Sequence, residues 1–189
     1  MEFFDTVDAR RSCRAYQSTP VPRDAVDRAL NGAGLAPSSQ NSQPWGFHVA
    51  TGETRRKLNG IMERTTVYLD EYLDHVADAD KLEAATRFLG NLGGAPLVIA
   101  VSAPHTVDEL GAVNTLLSVG AAMENLLLGL TDQGLASVNV TFSYWVRDEL
   151  ADLFAIGADR FIVCVIAVGY PEVELRRVPR RDDVTTWYE

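Results

Sequence analysis

Residues 110–133 have the sequence LGAVNTLLSVGAAMENLLLGLTDQ, which is apolar around almost its whole circumference when wound as a helix. Gly134 follows directly and predicts the end of the helix, because glycine readily adopts the left-handed conformation of a C-cap. A helix without a polar face lies at the centre of a fold or packs against a partner subunit. Polar residues interrupt the stretch before an unbroken apolar run reaches about 18 residues, so we expect no membrane-spanning helix.

Strands and shorter helices are predicted on both sides of this long helix. Residues 95–102 and 161–169 are rich in valine and isoleucine, which is typical of strands buried on both faces. Residues 45–50 alternate between apolar and polar side chains and predict a half-buried strand. The other predicted elements are helices at 3–11, 22–35, 53–74 and 146–154, a looser helical stretch up to residue 89, and a strand at 135–140. Four or five strands among helices predict an α/β or α+β fold, with helices on both faces of one sheet.

The length and composition favour one globular domain. The chain has 189 residues, no internal repeat and no low-complexity linker, and 47% of its residues are hydrophobic. Its formal net charge of -9 argues against general binding to nucleic acid or to anionic membranes. The two cysteines are far apart, as in a reducing compartment, and the three histidines have no metal-binding spacing. The N-terminus has no secretory signal, so we expect a cytoplasmic protein. The spacing of the histidines and cysteines predicts no metal site.

A basic cluster occurs where the first predicted helix ends. Its sequence is Arg10-Arg11-Ser12-Cys13-Arg14, which places three guanidinium groups and a hydroxyl group within five residues. Guanidinium groups bind phosphate through paired hydrogen bonds, and a hydroxyl adds a further donor. The cluster therefore indicates a phosphate site. A solvated basic patch at a helix C-terminus explains the same residues equally well.

Two further segments have compositions suited to ligand binding. Residues 36–45, APSSQNSQPW, form a proline-bounded loop whose amides and hydroxyls can frame a flat heterocycle with polar edges. Residues 176–183, RRVPRRDD, can contact the same anion as the basic cluster. Taken alone, each segment has a simpler explanation: the first as a polar turn with local hydrogen bonds, the second as a charged tail.

Taken together and in this order, these segments resemble the nitroreductase family of FMN-dependent oxidoreductases. The resemblance extends over essentially the whole chain and rests on five motifs rather than on any one of them. The motifs are RRSCRAY at 10–16, APSSQNSQPWGF at 36–47, GAAMENLLL at 120–128 leading to Gly134 and Leu135, AVGYP at 167–171, and the basic tail.

The resemblance implies a fold and an assembly. The implied fold is α+β, a three-layer α/β/α sandwich with a mixed central sheet, formed by residues 1–189 as a single FMN-binding domain. The implied assembly is an intertwined homodimer with FMN at the interface, contacted by both subunits. Residues 170–189, which have no core pattern of their own, would be a C-terminal arm packed on the partner subunit.

The resemblance also assigns residues to the cofactor. Those assigned to the FMN phosphate, ribityl chain and pyrimidine edge are Arg10, Arg11, Ser12 and Arg14. Those that would complete the phosphate site are Arg180 and Arg181. Those that would lie against the ring from the partner subunit are Pro37, Ser38 and Ser39, and the residue expected at the polar edge of the flavin is Asn41.

One segment departs from the family pattern. Many members have a glycine-rich segment after the long helix, and its backbone passes close to the reactive nitrogen of the flavin. Residues 136–143 of this chain read ASVNVTFS and contain no glycine, the residue that most easily allows such an approach. Thr141 is our candidate for this contact, and Phe142 is expected to narrow the site.

The implied activity needs no catalytic side chain, because FMN carries the chemistry. NADH or NADPH would reduce the flavin, and a nitroaromatic, quinone or similar electron-poor small molecule would then be reduced at the same place by a ping-pong mechanism. One alternative is a specialised flavin oxidase or dehydrogenase of the same fold that acts on a biosynthetic intermediate. Two others are a non-catalytic flavin-binding protein and an arginine-rich interaction module.

Overall fold

A four-stranded antiparallel sheet forms the centre of the molecule. The computed structural model describes residues 2–69 and 79–188. Within these residues the strand order is β1-β2-β4-β3, and every neighbouring pair is antiparallel. The strands are β1 (Gly46–Ala50), β2 (Leu97–Pro104), β3 (Ala136–Val140) and β4 (Arg160–Gly169). The four predicted strands are therefore confirmed.

The central pair, β2 and β4, is buried on both faces, as their valine- and isoleucine-rich sequences predict. Successive side chains of a strand point to opposite faces, so each strand contributes to two apolar clusters. One face carries Val98, Ala100, Val165 and Ala167. The other face carries Ile99, Val101, Cys164 and Ile166.

The described residues contain six helices, and five of them pack on the two faces of the sheet. The six helices are α1 (Phe3–Ala9), α2 (Arg23–Gly34), α3 (Gly52–Glu63), α4 (Ala79–Asn91), α5 (Glu109–Asp132) and α6 (Arg147–Leu153). Helices α3, α4 and α6 pack on one face, and α2 and α5 pack on the other. The expected three-layer α+β sandwich is thus confirmed, with residues 136–140 at one edge of the sheet and 46–50 at the other.

Helix α5 is the long apolar helix of the sequence. Its N-cap is Asp108, whose carboxylate accepts a hydrogen bond of 2.7 Å from the backbone N–H of Gly111. The helix lies close to α2, since a Cβ atom on Gly129 would be 3.0 Å from the Cα of Ala29. By length and composition alone, α5 also meets the criteria for a membrane span. It packs against α2, β2 and β3, and its buried side chains lie mostly in its C-terminal half.

Two predicted boundaries differ from the structure. The helix expected over 53–74 ends at Glu63 and continues as a 3-10 turn to Tyr68, where the hydroxyls of Thr65 and Thr66 donate to carbonyls three residues earlier. Residues 70–74 of this prediction, and residues 75–78 of the looser helical stretch, lie outside the described residues. The looser helical stretch expected up to residue 89 continues to Asn91, so Gly90 lies inside α4.

Segments near the two ends of the chain form isolated β-bridges. Ser12 pairs with Ser137 in a parallel bridge, so the mixed character of the sheet, within the described residues, is confined to this edge. Tyr16 pairs with Pro171. Residues 172–188 form no helix or strand.

Candidate functional site

The basic cluster forms an extended segment along the edge of β3. The backbone N–H of Cys13 donates to the carbonyl of Ser137 at 3.1 Å. Alternation along the segment buries the Cys13 side chain and exposes those of Ser12 and Arg14. The cluster is therefore built into the sheet edge and is more than a solvated patch at a helix end.

Tyr16 anchors this segment to the core. Its hydroxyl donates toward two carbonyl oxygens, that of Cys13 at 2.7 Å and that of Ala167 at 3.1 Å. Burial raises the pKa of the Tyr16 phenol well above its usual range, and burial also raises the pKa of the Cys13 thiol. Both groups stay protonated at neutral pH and hold the backbone in place, while the arginines on either side reach outward.

A first cavity lies between α1, α5 and the C-terminal tail, and we call it the arginine cavity. It has a volume of about 400 Å³. Four arginines line it together with two carboxylates and three apolar side chains: Arg10, Arg11, Arg177, Arg180, Asp8, Glu124, Phe4, Val7 and Val178. This cavity contains two more guanidinium groups than carboxylates, which matches the roughly two negative charges of a phosphate monoester at pH 7.

Two ion pairs hold guanidinium groups of the arginine cavity. The Nε atom of Arg10 is 3.6 Å from a carboxylate oxygen of Glu124 on α5. A terminal nitrogen of Arg177 is 2.8 Å from a carboxylate oxygen of Asp8 on α1. The second pair ties the tail of this chain to its own first helix.

A second cavity lies between α4 and the end of β3, and we call it the apolar cavity. It has a volume of about 560 Å³, within the usual range for small-molecule sites. Its polar lining residues are Arg14, Lys81, Asn139 and Thr141. Its apolar lining residues are Leu69, Ala84, Ala85, Phe88, Leu89, Val138, Val140 and Phe142.

One short segment of backbone links the two cavities. Arg10 and Arg11 line the arginine cavity, and Arg14 lines the apolar cavity. Four extended residues span at most about 14 Å, so the two cavities lie within reach of one elongated ligand. Ser12 is exposed between them. The structure thus brings together Arg10, Arg11 and Arg180 at one end and Arg14 and Thr141 at the other.

The position of Arg14 depends on Gly93. Gly93 has a φ of +65° in the turn after α4, and a Cβ atom on it would be 2.3 Å from the carbonyl oxygen of Arg14. Its own carbonyl accepts a hydrogen bond of 2.9 Å from the backbone N–H of Tyr16. Only glycine fits here without moving the arginine segment.

The predicted loop residues lie elsewhere. Pro37, Ser38, Ser39 and Asn41 line neither the arginine cavity nor the apolar cavity of their own chain. The loop is held against α5, where the backbone N–H of Ser39 donates to the hydroxyl of Ser118 at 3.2 Å. Their assignment to the ring of a partner subunit's cofactor stays a prediction.

Arg181 also lies outside both cavities. It forms a forked pair with Asp183, at 2.8 Å and 3.0 Å, and its side chain is exposed. The tail residue that joins Arg180 in the arginine cavity is Arg177, which the sequence presents only as part of a basic run.

Sequence reasoning missed several lining residues of the apolar cavity. Lys81, Ala84, Ala85 and Phe88 occupy positions i, i+3, i+4 and i+7 of α4 and so share one face of that helix. This spacing is visible in the sequence, but nothing local shows which face of the helix borders a cavity. The unusual signal was Lys81 itself, since the chain has only two lysines, Lys57 and Lys81.

A comparison with protein families settles the relationship of the chain. The sequence profile of the Nitroreductase family matches residues 7–170. The chain belongs to the nitroreductase family. The predicted family is confirmed, and with it the predicted enzyme class, an oxidoreductase.

Relatives within the nitroreductase family have several activities. A 4-nitrobenzoate reductase of Pseudomonas putida is 27% identical over 95% of this chain and 91% of its own length. A 4-nitrobenzoate reductase of Nocardioides sp. is also 27% identical, over 92% of this chain and 83% of its own. Human iodotyrosine deiodinase 1 is 26% identical over 92% of this chain and 62% of its own length.

Solved structures support the nitroreductase fold. A BluB-like flavoprotein from Clostridium difficile has a TM-score of 0.81 at 23% identity, and the match covers 100% of both chains. The FMN-dependent nitroreductase NfnB from Mycobacterium smegmatis, solved with NADPH, has a TM-score of 0.80 at 20% identity, covering 98% of this chain and 97% of its own. At these identities the likeness establishes the fold.

Proposed function

We propose that this nitroreductase-family protein is an FMN-dependent oxidoreductase that uses NADH or NADPH to reduce nitroaromatic, quinone or similar electron-poor small molecules. One observation carries the proposal. The extended segment from Arg10 to Arg14 supplies guanidinium groups to an arginine-rich cavity at one end and to an apolar cavity at the other. A ligand with a phosphate at one end and an aromatic ring at the other matches that arrangement.

The residues present fit FMN. The arginine cavity suits the phosphate, because guanidinium groups donate paired hydrogen bonds to phosphate oxygens. Exposed Ser12 lies between the cavities, where ribityl hydroxyls need partners. Arg14 would stabilise negative charge at the pyrimidine edge, and the apolar cavity would receive the ring. Thr141, at the start of the turn after β3, would contact the ring near its reactive nitrogen.

The chemistry comes from the cofactor, which accepts a hydride when bound and passes two electrons to the acceptor. NADPH supplies the hydride and solvent supplies one proton, so a quinone becomes a hydroquinone, and a nitro group becomes a nitroso group with loss of one water. The chain binds and orients these molecules, and no side chain acts as a nucleophile. Donor and acceptor occupy one site in turn, which predicts ping-pong kinetics and therefore parallel lines in double-reciprocal plots.

The functional unit is a homodimer in the cytoplasm. Apolar side chains remain exposed on the N-terminal half of α5, including Leu116 and Leu117, and in the tail, including Trp187. The start of the C-terminal arm stays on its own chain, where Arg177 pairs with Asp8. The rest of residues 170–189 packs on the partner subunit and brings Arg181 to the phosphate site. Pro37, Ser38, Ser39 and Asn41 reach the flavin of the partner subunit, which agrees with the finding that they line neither the arginine cavity nor the apolar cavity of their own chain.

A second candidate is a flavin oxidase or dehydrogenase that acts on a biosynthetic intermediate. The observation that favours it is the glycine-free wall of the apolar cavity, where Thr141 and Phe142 replace a segment that is glycine-rich in many members. Oxygen consumption without a nicotinamide would distinguish this activity.

The first test is the visible absorption spectrum of the purified protein under anaerobic conditions. We expect a flavin band that bleaches when NADH or NADPH is added and returns when menadione, a neutral quinone, is added. A flavin band that stays unchanged would favour the oxidase or a flavin-holding protein. Absence of flavin after incubation with FMN would contradict the proposed site and favour an arginine-rich interaction module.

A further inference from the structure

The loop over residues 37–44 has a backbone conformation that its own sequence does not favour. Gln40, Asn41 and Gln43 have φ values of 54°, 55° and 45°, in the left-handed region that favours glycine. Residues other than glycine stay in this region where the surrounding structure holds them there, and such residues cluster at functional sites. The contacts that hold the loop from outside therefore bear on what the loop does.

Two hydrogen bonds hold the loop, one near each end. The backbone N–H of Ser39 donates to the hydroxyl of Ser118 on α5 at 3.2 Å. A terminal nitrogen of Arg160, the first residue of β4, donates to the carbonyl of Pro44 at 2.7 Å. The second bond is shorter and its donor is charged, and hydrogen bonds from a charged donor are the stronger kind. Arg160 is therefore the firmer of the two anchors.

Strand β2 fixes the guanidinium group of Arg160. Its Nε donates to the hydroxyl of Ser102 at 3.1 Å, and the nitrogen that contacts Pro44 also donates to the carbonyl of Ser102 at 3.0 Å. Ser102 is fully buried. Gly46 leaves room for this arrangement, because a Cβ atom on it would be 2.6 Å from the Ser102 hydroxyl and 3.0 Å from a terminal nitrogen of Arg160. The guanidinium group is thus held in one orientation, toward the Pro44 carbonyl.

Arg160 can act on a cofactor only through the loop. It lines neither the arginine cavity nor the apolar cavity of its own chain. Asn41, the residue expected at the polar edge of the flavin, is three residues before Pro44. A shift of the Pro44 carbonyl therefore moves the part of the loop that carries Asn41.

We propose that Arg160 is a positioning residue for the flavin bound by the partner subunit. This inference rests on the proposed function, in which the loop of one subunit lies against the FMN of the other, and it adds the residue that orients the loop. Arg160 fixes the carbonyl of Pro44, and through it the place of Asn41 at the polar edge of the ring. Removal of Arg160 from one chain should therefore weaken FMN binding in the other chain.

The first measurement compares the affinities of variant homodimers for FMN and for riboflavin, which lacks the phosphate. Arg160→Gln should weaken the binding of both flavins by about tenfold, as for a lost hydrogen bond from a charged group, because the loop acts at the ring. Arg160→Lys keeps the charge without the fixed fork and should lose less affinity. Leu150→Ala is the control, since Leu150 is fully buried in an apolar cluster that includes no residue of the loop. It should lose stability and keep both affinities.

The second measurement uses a mixed dimer in which one chain carries Arg160→Gln and the other carries Arg10→Gln. In this dimer one site combines the intact cavities of the first chain with the intact loop of the second, so half of the sites should bind FMN with wild-type affinity. The other site contains both defects. If Arg160 acts within its own chain, or only stabilises that chain, every site has a defect and none recovers. Should Arg160→Gln fail to fold, Arg160→Lys takes its place in the mixed dimer.

Three results would overturn the inference: wild-type affinity of folded Arg160→Gln, a loss of affinity for FMN but not for riboflavin, and a mixed dimer without wild-type sites. Failure of the proposed function is detected separately, because bleaching by NADPH and reoxidation by menadione are measured on the wild type. A wild type that passes that test while the mixed dimer does not recover would overturn the role of Arg160 alone. A wild type that binds no flavin would overturn both.

Discussion

At the scale of single residues, the candidate site depends on where the backbone of Arg14 runs. That backbone passes between the turn after α4 and the core, with Gly93 on one side and the hydroxyl of Tyr16 nearby. Because the Tyr16 hydroxyl stays protonated and donates to the carbonyls of Cys13 and Ala167, it fixes the segment against strand β4. The backbone that carries the guanidinium groups is thus held by two residues that line neither the arginine cavity nor the apolar cavity.

We predict that Gly93→Ala destabilises the protein and weakens FMN binding together. The alanine would require a left-handed conformation and would place its Cβ 2.3 Å from the Arg14 carbonyl oxygen, so the arginine segment must move. The expected loss is about 1–3 kcal/mol in the free energy of unfolding, measured by urea denaturation. Gly90→Ala is the control: no atom lies within 4 Å of the added Cβ. Inside α4 it should raise stability by roughly 0.5–1 kcal/mol. Similar effects of both variants would contradict the close-approach argument.

We predict that Arg10→Gln weakens FMN binding by roughly 10- to 100-fold, the usual range for a lost charge-assisted hydrogen bond. Arg10 lines the arginine cavity and is held by Glu124 through its Nε atom, which leaves its terminal nitrogens for a phosphate. The dissociation constant is measured by flavin fluorescence at fixed salt. Arg56→Gln is the matched control, because Arg56 is exposed on α3 and pairs with Glu53. Equal FMN affinities of the two variants would contradict the placement of the FMN phosphate in the arginine cavity.

At the scale of helices and strands, a partly buried polar cluster joins three strands. Ser102 on β2 contacts His48 on β1 at 3.0 Å and Arg160 on β4 at 3.1 Å. Arg160 also donates to the carbonyl of Pro44, at 2.7 Å, just before β1. The cluster fixes how the loop over 37–44 enters the sheet.

The free energy of unfolding should depend on pH through His48 of this cluster. Burial, and then the Arg160 charge, hold the pKa of His48 below its usual value of about 6.5. His48 therefore binds a proton more readily in the unfolded chain than in the folded one. The stability that the neutral His48 contributes is fully present above about pH 6.5, and it is lost as the pH falls through the lowered pKa. We expect His48→Gln to reduce the loss of unfolding free energy between pH 7.5 and pH 5. An NMR titration midpoint of His48 at or above 6.5 would contradict this assignment.

The secondary structure could largely be predicted from local patterns, whereas the cavities could not. The long helix predicted at 110–133 occurs as Glu109–Asp132. Its apolar sequence and the glycine that ends it, Gly134, are both signals contained in the segment itself. The helix predicted to residue 74 ends at Glu63, since threonine hydroxyls bond back to the preceding turn. Arg10, Arg11 and Arg180 were found as cavity residues because charge clusters are visible in sequence. Lys81 and Phe88 were missed, since their role depends on which helix face meets the end of β3.

At the scale of the whole molecule, a substantial apolar surface is left uncovered. Phe3 and Phe4 of α1, Leu116 and Leu117 of α5, and Trp187 in the tail are between 50% and 87% exposed. Helices α1 and α5 are in contact. An exposed apolar patch on a globular chain usually marks an interface. The loop predicted to contact flavin from a partner subunit is held on the same helix α5, through Ser118. One interface would therefore cover the patch and complete the cofactor site.

We predict that the double variant Leu116→Glu/Leu117→Glu is a folded monomer that binds FMN poorly. Both side chains are exposed in the single chain, at 50% and 68%, so charges are tolerated there until a second copy buries them. The wild type should have the mass of a dimer by light scattering, and the double variant that of a monomer with an unchanged circular dichroism spectrum. Val107→Glu, at a fully exposed position before α5, is the control and should remain a dimer with FMN. If the double variant stayed dimeric, the interface would lie elsewhere. If it became monomeric yet kept its FMN affinity, Pro37, Ser38, Ser39 and Asn41 would have no part in the cofactor site, and the two cavities of one chain would suffice to bind the flavin.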